Sequence, residues 1–302
     1  MRKFLFRLFQ LGFFFFISII VGLTLIALST NWTLKIEQKT LGHQTHWGSS
    51  WERISEFEIW VNQKSSKPRG LIIGSSTAYR NINPHILDQT TDLNWFNYAS
   101  SGQPPIISLQ LLKHAFSKDK FDYILLDIYE PVTQLDGLES AHDLIYNSTL
   151  DWWNKTKLVC SYPQGKLWLR YFYFFIKQLV ASKPHIILDP KNGTYLKKGF
   201  VCSNQPSISQ WNKKQTNKAL NRFASLSEID ALCKTNGAKL ILNISPSLEH
   251  KYILQENFKE YSIISNDEFN NPDWFYDSHH MTCEGANLYS LRLSSKFKAK
   301  IK

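Results

Sequence analysis

Three short stretches carry side chains suited to acyl-transfer chemistry. Gly74-Ser75-Ser76 follows a short apolar run at 71–73, Ala99-Ser100-Ser101-Gly102 follows a second run, and Asp277-Ser278-His279-His280 lies close to the C-terminus. A serine hydroxyl becomes a useful nucleophile when a base within hydrogen-bond reach takes its proton and a carboxylate holds that base in the right tautomer. Asp277 and His280, three apart, can present both side chains to one site. A glycine lets the chain turn sharply out of a strand, so that Ser76 opens a helix with its hydroxyl facing a cleft. Gly102 can aim a backbone N–H into the same cleft. Each residue alone has a plainer reading: Ser76 as a helix cap, His280 as a satisfied core histidine, Asp277 as a helix-start carboxylate. Their order along the chain, Gly-Ser-Ser early and Asp-x-x-His just before the last helix, is the more specific signal.

Positioning these residues requires an alternating α/β chain. Apolar runs at 71–73, 95–98, 123–128, 239–244 and 261–264 read as strands. Helical spacing covers 106–116, 226–234 and 285–296, and Asn236-Gly237 is a helix-stop signal. Alternation of this kind implies α/β/α, three layers with a roughly five-stranded parallel sheet. Ligands bind such sheets beyond the carboxyl ends of the strands, where all three stretches fall. An insertion at about 133–220 interrupts the pattern and is expected to be largely helical. Its 167–180 stretch contains Trp168, Tyr171, Phe172, Tyr173, Phe174 and Phe175. It is too short to span a bilayer and reads either as a helix packing over the sheet or as a membrane-surface or acyl-chain-binding helix.

The arrangement resembles the SGNH/GDSL hydrolase superfamily over roughly 69–130 and 226–296, and in particular its membrane-anchored bacterial cell-envelope branch. Gly74-Ser75-Ser76 is similar to that family's Gly-Asp-Ser block. The second block is matched by Asn97-Tyr98-Ala99-Ser100-Ser101-Gly102, and the last by Asp277-Ser278-His279-His280. The resemblance implies a flavodoxin-like sheet, Ser76 as nucleophile, His280 as base and Asp277 as its orienter. It implies an oxyanion hole from the N–H groups of Ser76 and Gly102. The family's third block usually offers an Asn whose side chain donates to the oxyanion. Here the matching strand ends Asp127-Ile128-Tyr129-Glu130. Loss of one such donor typically costs about 2.7–4 kcal/mol of transition-state stabilisation. Three alternatives stand: Tyr129 supplies a phenolic donor, the insertion supplies one while Tyr129 merely lines the pocket, or the site is slow, specialised or inactive. Two functions follow: a serine esterase or O-acyltransferase acting on an envelope glycan or lipid, or a non-catalytic relative that binds polysaccharide or scaffolds envelope assembly. Neither implies a cofactor or a metal.

The composition fits a folded domain on a tether. The 302 residues are 43% hydrophobic, 20% charged and 14% aromatic, with a formal charge of +10. That charge suits anionic lipids or cell-wall polymers, and the sequence contains no nucleic-acid-binding pattern. Residues 8–28 are almost wholly apolar, long enough to cross a bilayer. Arg2, Lys3 and Arg7 precede them and no charge follows until Lys35, which places the N-terminus in the cytoplasm and the rest outside. A cleaved signal peptide is the alternative. The expected organisation is a cytoplasmic 1–7, a transmembrane helix at 8–28, a stalk and lead-in segment at 29–68 and a hydrolase-like domain at 69–302. Cys160, Cys202, Cys233 and Cys283 are widely spaced, without a zinc pattern. The expected disulfide is Cys160–Cys202, within the insertion; buried free thiols are the alternative.

Overall fold

A computed structural model describes residues 2–28, 47–135, 140, 152–160, 168, 193–220, 223, 225–265 and 268–301. The chain divides into two compact units, Met1–Trp47 with Thr149–Ile187, and Gly48–Ser148 with Leu188–Lys302.

The first unit contains helix α1 (Arg2–Leu28), which exposes Phe9, Phe13, Phe14 and Phe15. Among the described residues no helix is long and apolar enough to cross a membrane. The stretch at 29–46, the first part of the expected stalk, and nearly all of the aromatic stretch at 167–180 lie outside the described residues.

The second unit is built on a five-stranded sheet. Its strands are β1 (Arg69–Ile73), β2 (Asn94–Asn97), β3 (Tyr123–Ile128), β7 (Lys239–Ile244) and β9 (Ser262–Ser265). The order is β2-β1-β3-β7-β9, with every pairing parallel. Ranked by position in the chain these strands run 2-1-3-4-5, a doubly wound order whose switch point lies between β1 and β3. Helices α3 (Ser76–Asn81), α4 (Pro84–Thr91) and α8 (Cys283–Ile301) pack together. On that side Ile72, Trp95, Leu125 and Ile241 join Tyr289 and Phe297 of α8 in one core. The period of two sends Leu71, Ile124 and Leu242 to the opposite face. Helices α5 (Pro105–Lys118) and α7 (Leu226–Thr235) pack on each other, and α7 rests on β7.

Two expectations are corrected here. Part of the presumed stalk forms helix α2 (Trp47–Asn62) and is buried through Ile54, Phe57 and Trp60. Phe57 stacks on Tyr98 at 4.1 Å and meets Phe96 edge-on at 5.4 Å. An aromatic face of that kind has to be covered, so the segment joins the domain. The insertion is not simply helical. Besides α6 (Trp152–Cys160), its described residues contribute a hairpin of β4 (Thr194–Tyr195) and β5 (Val201–Cys202). They also contribute β6 (Thr216–Leu220), which pairs in parallel with β8 (His250–Leu254).

The hairpin fastens the sheet to the last helix. Asn97 N–H donates to Lys198 O at 2.9 Å. Gly199 sits at φ +80°, and a Cβ there would lie 1.6 Å from Asn97 O, so only glycine allows this approach. Cys202 then forms a disulfide with Cys283, Cα–Cα 4.9 Å, across 81 residues. The expected Cys160–Cys202 bridge is not formed: Cys160 is free and exposed, and Cys233 is free and buried.

Candidate active site

The first candidate residue is delivered by β1. All five β1 residues are buried, and the chain leaves the strand at Gly74. A Cβ at Gly74 would stand 2.8 Å from Asp127 Cβ and 2.9 Å from Ala78 Cβ, so the turn crosses β3 at a distance open only to glycine. Ser75 takes the N-cap position, and Ser76 is the first residue of α3.

The structure brings Asp277, Ser76 and His280 together. Ser76 Oγ is 2.7 Å from His280 Nε2, and His280 Nδ1 is 2.7 Å from Asp277 Oδ2. The other carboxylate oxygen, Asp277 Oδ1, accepts the backbone N–H groups of His279 at 2.9 Å and His280 at 2.7 Å. Burial works against the charge on Asp277, but the His280 hydrogen bond and the imidazole charges outweigh it and hold the carboxyl well below its usual range. With Nδ1–H donated to Asp277, the Nε2 lone pair faces the serine hydroxyl. That is the arrangement in which the imidazole can accept the Ser76 proton.

Rings brace the base. Tyr276 stacks on His280 at 5.6 Å and 13°, and the Arg80 guanidinium lies 5.8 Å over Tyr276. Tyr129 stacks on His279 at 4.8 Å and 17°, and His279 touches the His280 ring at 4.0 Å. Burial, with the neighbouring Asp277, Glu249 and Glu130 charges, pushes the Tyr129 phenol well above its ordinary value, so it keeps its proton. Burial and the His280 charge lower the His279 imidazole to about 4, against the pull of Asp277.

Gly102 lies in the loop after β2 at φ +54°, a left-handed conformation natural to glycine. The loop is tied to the Ser76 turn by Ser100 N–H donating to Gly74 O at 3.3 Å. Ser100 Oγ also donates to Gln103 Oε1 at 2.7 Å, and Gln103 Nε2 donates to Ser108 at 2.9 Å.

Two supporting features were not identified from sequence. Asp127, at the end of β3, is wholly buried and accepts Thr77 Oγ1 at 2.6 Å, Asn243 Nδ2 at 2.6 Å and Ser245 Oγ at 2.7 Å. Burial raises its carboxyl and these donors oppose the shift. Ser75 Oγ is 3.0 Å from Thr77 Oγ1 and Tyr289 Oη donates to Asn243 at 3.0 Å, so the network joins the turn around Ser76, two strands and α8. A lone acid in the apolar run Tyr-Ile-Leu-Leu-Asp-Ile was its available signal. The second feature is Asn81, which is fully buried. Its Nδ2 donates to His279 O at 2.8 Å and its Oδ1 accepts Met281 N–H at 2.9 Å, clamping the histidine loop to α3. Nothing local in the sequence signals that role.

Comparison with known proteins adds little to this geometry. No protein-family model and no curated protein matches the sequence. Among solved structures, one described as a "putative SGNH hydrolase" from Slackia heliotrinireducens is similar over 77% of this chain and 100% of its own, at 13% identity and a TM-score of 0.29. A likeness of that strength carries no weight for fold or activity.

Proposed function

We propose that this chain is an extracytoplasmic serine esterase or O-acyltransferase, tethered by its N-terminal helix, that acts on an envelope glycan or lipid ester. The observation that carries the reading is the continuous Ser76–His280–Asp277 relay, two 2.7 Å contacts in series at the carboxyl end of β1. The three sequence blocks that resemble SGNH/GDSL hydrolases support the same roles. The Cys202–Cys283 disulfide favours an oxidising compartment, and the basic flank before residues 8–28 favours the outward orientation.

In this mechanism Ser76 Oγ bonds to the ester carbonyl carbon while its proton passes to His280 Nε2. Asp277 stabilises the imidazolium that results. The carbonyl oxygen becomes an oxyanion, received by the N–H groups of Ser76 and Gly102. Tyr129, which keeps its phenolic proton, is the further donor proposed in place of the family's Asn. Collapse breaks the bond to the alcohol, which leaves with the proton from His280. Water or a sugar hydroxyl then attacks the acyl-serine, His280 again taking the proton.

A serine-directed phosphonate tests the reading. The expected result is a mass increase on the peptide carrying Ser76 in the full-length chain and none in a folded Ser76→Ala variant. A folded wild-type protein that takes no label and turns over no acyl donor would favour the polysaccharide-binding alternative.

A further inference from the structure

The relay uses one of two adjacent histidines, and the other faces the same carboxylate. His280 Nδ1 lies 2.7 Å from Asp277 Oδ2, and His279 Nδ1 lies 3.5 Å from Asp277 Oδ1. One ligand atom from each of the three residues falls within 4.8 Å of the others. Tetrahedral Zn²⁺ holds N and O ligands at about 2.0–2.2 Å, which sets neighbouring ligand atoms about 3.3–3.5 Å apart. The two rings meet different carboxylate oxygens, His279 Nδ1 at 3.5 Å from Oδ1 and His280 Nδ1 at 2.7 Å from Oδ2, so the carboxylate has to turn to present one oxygen to both or chelate through the pair, and the His280 contact has to open by less than about 1 Å. Two imidazoles and a carboxylate suit a borderline transition metal better than Ca²⁺ or Mg²⁺, which prefer all-oxygen shells. The Asp277 side chain is 38% exposed, against 23% and 14% for the two rings, so an ion can approach from the carboxylate side and keep a water as fourth ligand. Tyr129, stacked on His279, holds that ring's plane. Ser278 Oγ, 3.0 Å from His279 Nδ1, is the partner that a metal would displace.

We propose that Asp277, His279 and His280 form a Zn²⁺ site whose occupancy and the Ser76 relay exclude one another. Zn²⁺ takes the lone pair of His280 Nδ1, which requires that nitrogen to give up its proton. The neutral ring then carries its proton on Nε2, so the ring's proton count is unchanged. Nε2–H can donate to Ser76 Oγ but cannot accept its proton, and the nucleophile is no longer activated. The inhibitory consequence rests on the acyl-serine reading above; the binding site itself does not.

Calorimetric titration of the metal-free, full-length protein with ZnCl₂ tests the site without reference to activity. The expected result is saturable binding of one Zn²⁺ per chain, retained in Ser76→Ala. Changes to outer partners of metal ligands already cost about 10–100-fold in affinity, so removing a direct ligand in His279→Phe should weaken binding at least as much. Phe keeps an aromatic ring against Tyr129, and circular dichroism confirms the fold. Asp277→Asn should weaken binding comparably. In the same samples Zn²⁺ should slow phosphonate labelling of Ser76, a chelator should restore it, and His279→Phe should need correspondingly more Zn²⁺ for the same slowing. No saturable binding, or equal affinity in wild type and both ligand variants, overturns the site. Binding without slowing of an otherwise labelled serine overturns the exclusion. A wild type that binds Zn²⁺ but takes no label in its absence supports the site and counts against the esterase reading.

Discussion

Replacing Asn81 by alanine should loosen the base from the nucleophile while leaving both in the chain. Asn81 is on the helix that Ser76 opens, and it grips the segment that carries His280 through two hydrogen bonds, to His279 O and from Met281 N–H. Both partners lie about 200 residues away in sequence, at separations of 198 and 200. In Asn81→Ala the Met281 N–H, in a fully buried bond, loses its acceptor, at about 1–3 kcal/mol. The His279 carbonyl, in a part-buried bond, adds about 1 kcal/mol, since water can reach it in part. The sum is about 2–4 kcal/mol. With a urea m-value of about 2–3 kcal/mol/M for a domain of this size, the midpoint should fall by about 1 M. Misplacement of a catalytic group by about 1 Å can cost about 100-fold in rate, so phosphonate labelling of Ser76 should slow by an amount of that order. Asn81→Asp restores the acceptor for Met281 N–H but sets a carboxylate oxygen against the His279 carbonyl, so it should not rescue stability. An Asn81→Ala protein with an unchanged urea midpoint and an unchanged labelling rate would refute the claim that this clamp holds the loop.

Two further outcomes test the framework around the site. Native alkylation should modify exposed Cys160 but not Cys233, whose thiol burial pushes up to about 12, so that very little thiolate is present at neutral pH. Cys233 should react only after unfolding, and Cys202 and Cys283 only after reduction as well, read by peptide mass mapping; native labelling of Cys202 would contradict the disulfide. Gly199→Ala should destabilise the second unit by about 2–4 kcal/mol, because its Cβ meets the Asn97 carbonyl and its φ is left-handed. A melting temperature equal to wild type would show that the hairpin is not docked on β2.

Much of the sheet is legible in the sequence because strands and turns are written in neighbouring residues. The run at 123–128 is β3 and that at 239–244 is β7, with the same bounds, since a strand buried on both faces is a continuous apolar stretch. The stop at Asn236-Gly237 ends α7, where Gly237 takes φ +72°. The sequence also singles out Ser76, Asp277 and His280, because Gly-Ser-Ser after a strand and Asp-x-x-His before a helix are local patterns.

What required the tertiary structure is whatever depends on distance through space. Four cysteines offer six possible pairs, and only the docking of the β4–β5 hairpin beside α8 brings Cys202 to Cys283. Residues 47–62 read as part of a polar, Trp-containing lead-in that ends in Lys64-Ser65-Ser66-Lys67-Pro68, yet Phe57 finds Tyr98 across the fold. Asp127 appears from sequence as an odd acid at a strand end, and its three donors come from α3, from β7 and from the residue just beyond β7. Asn81 carries no sign of its partners at all. A hydrophobic period declares itself within a few residues, whereas a buried polar side chain is satisfied by whichever donors the finished fold places within about 3 Å.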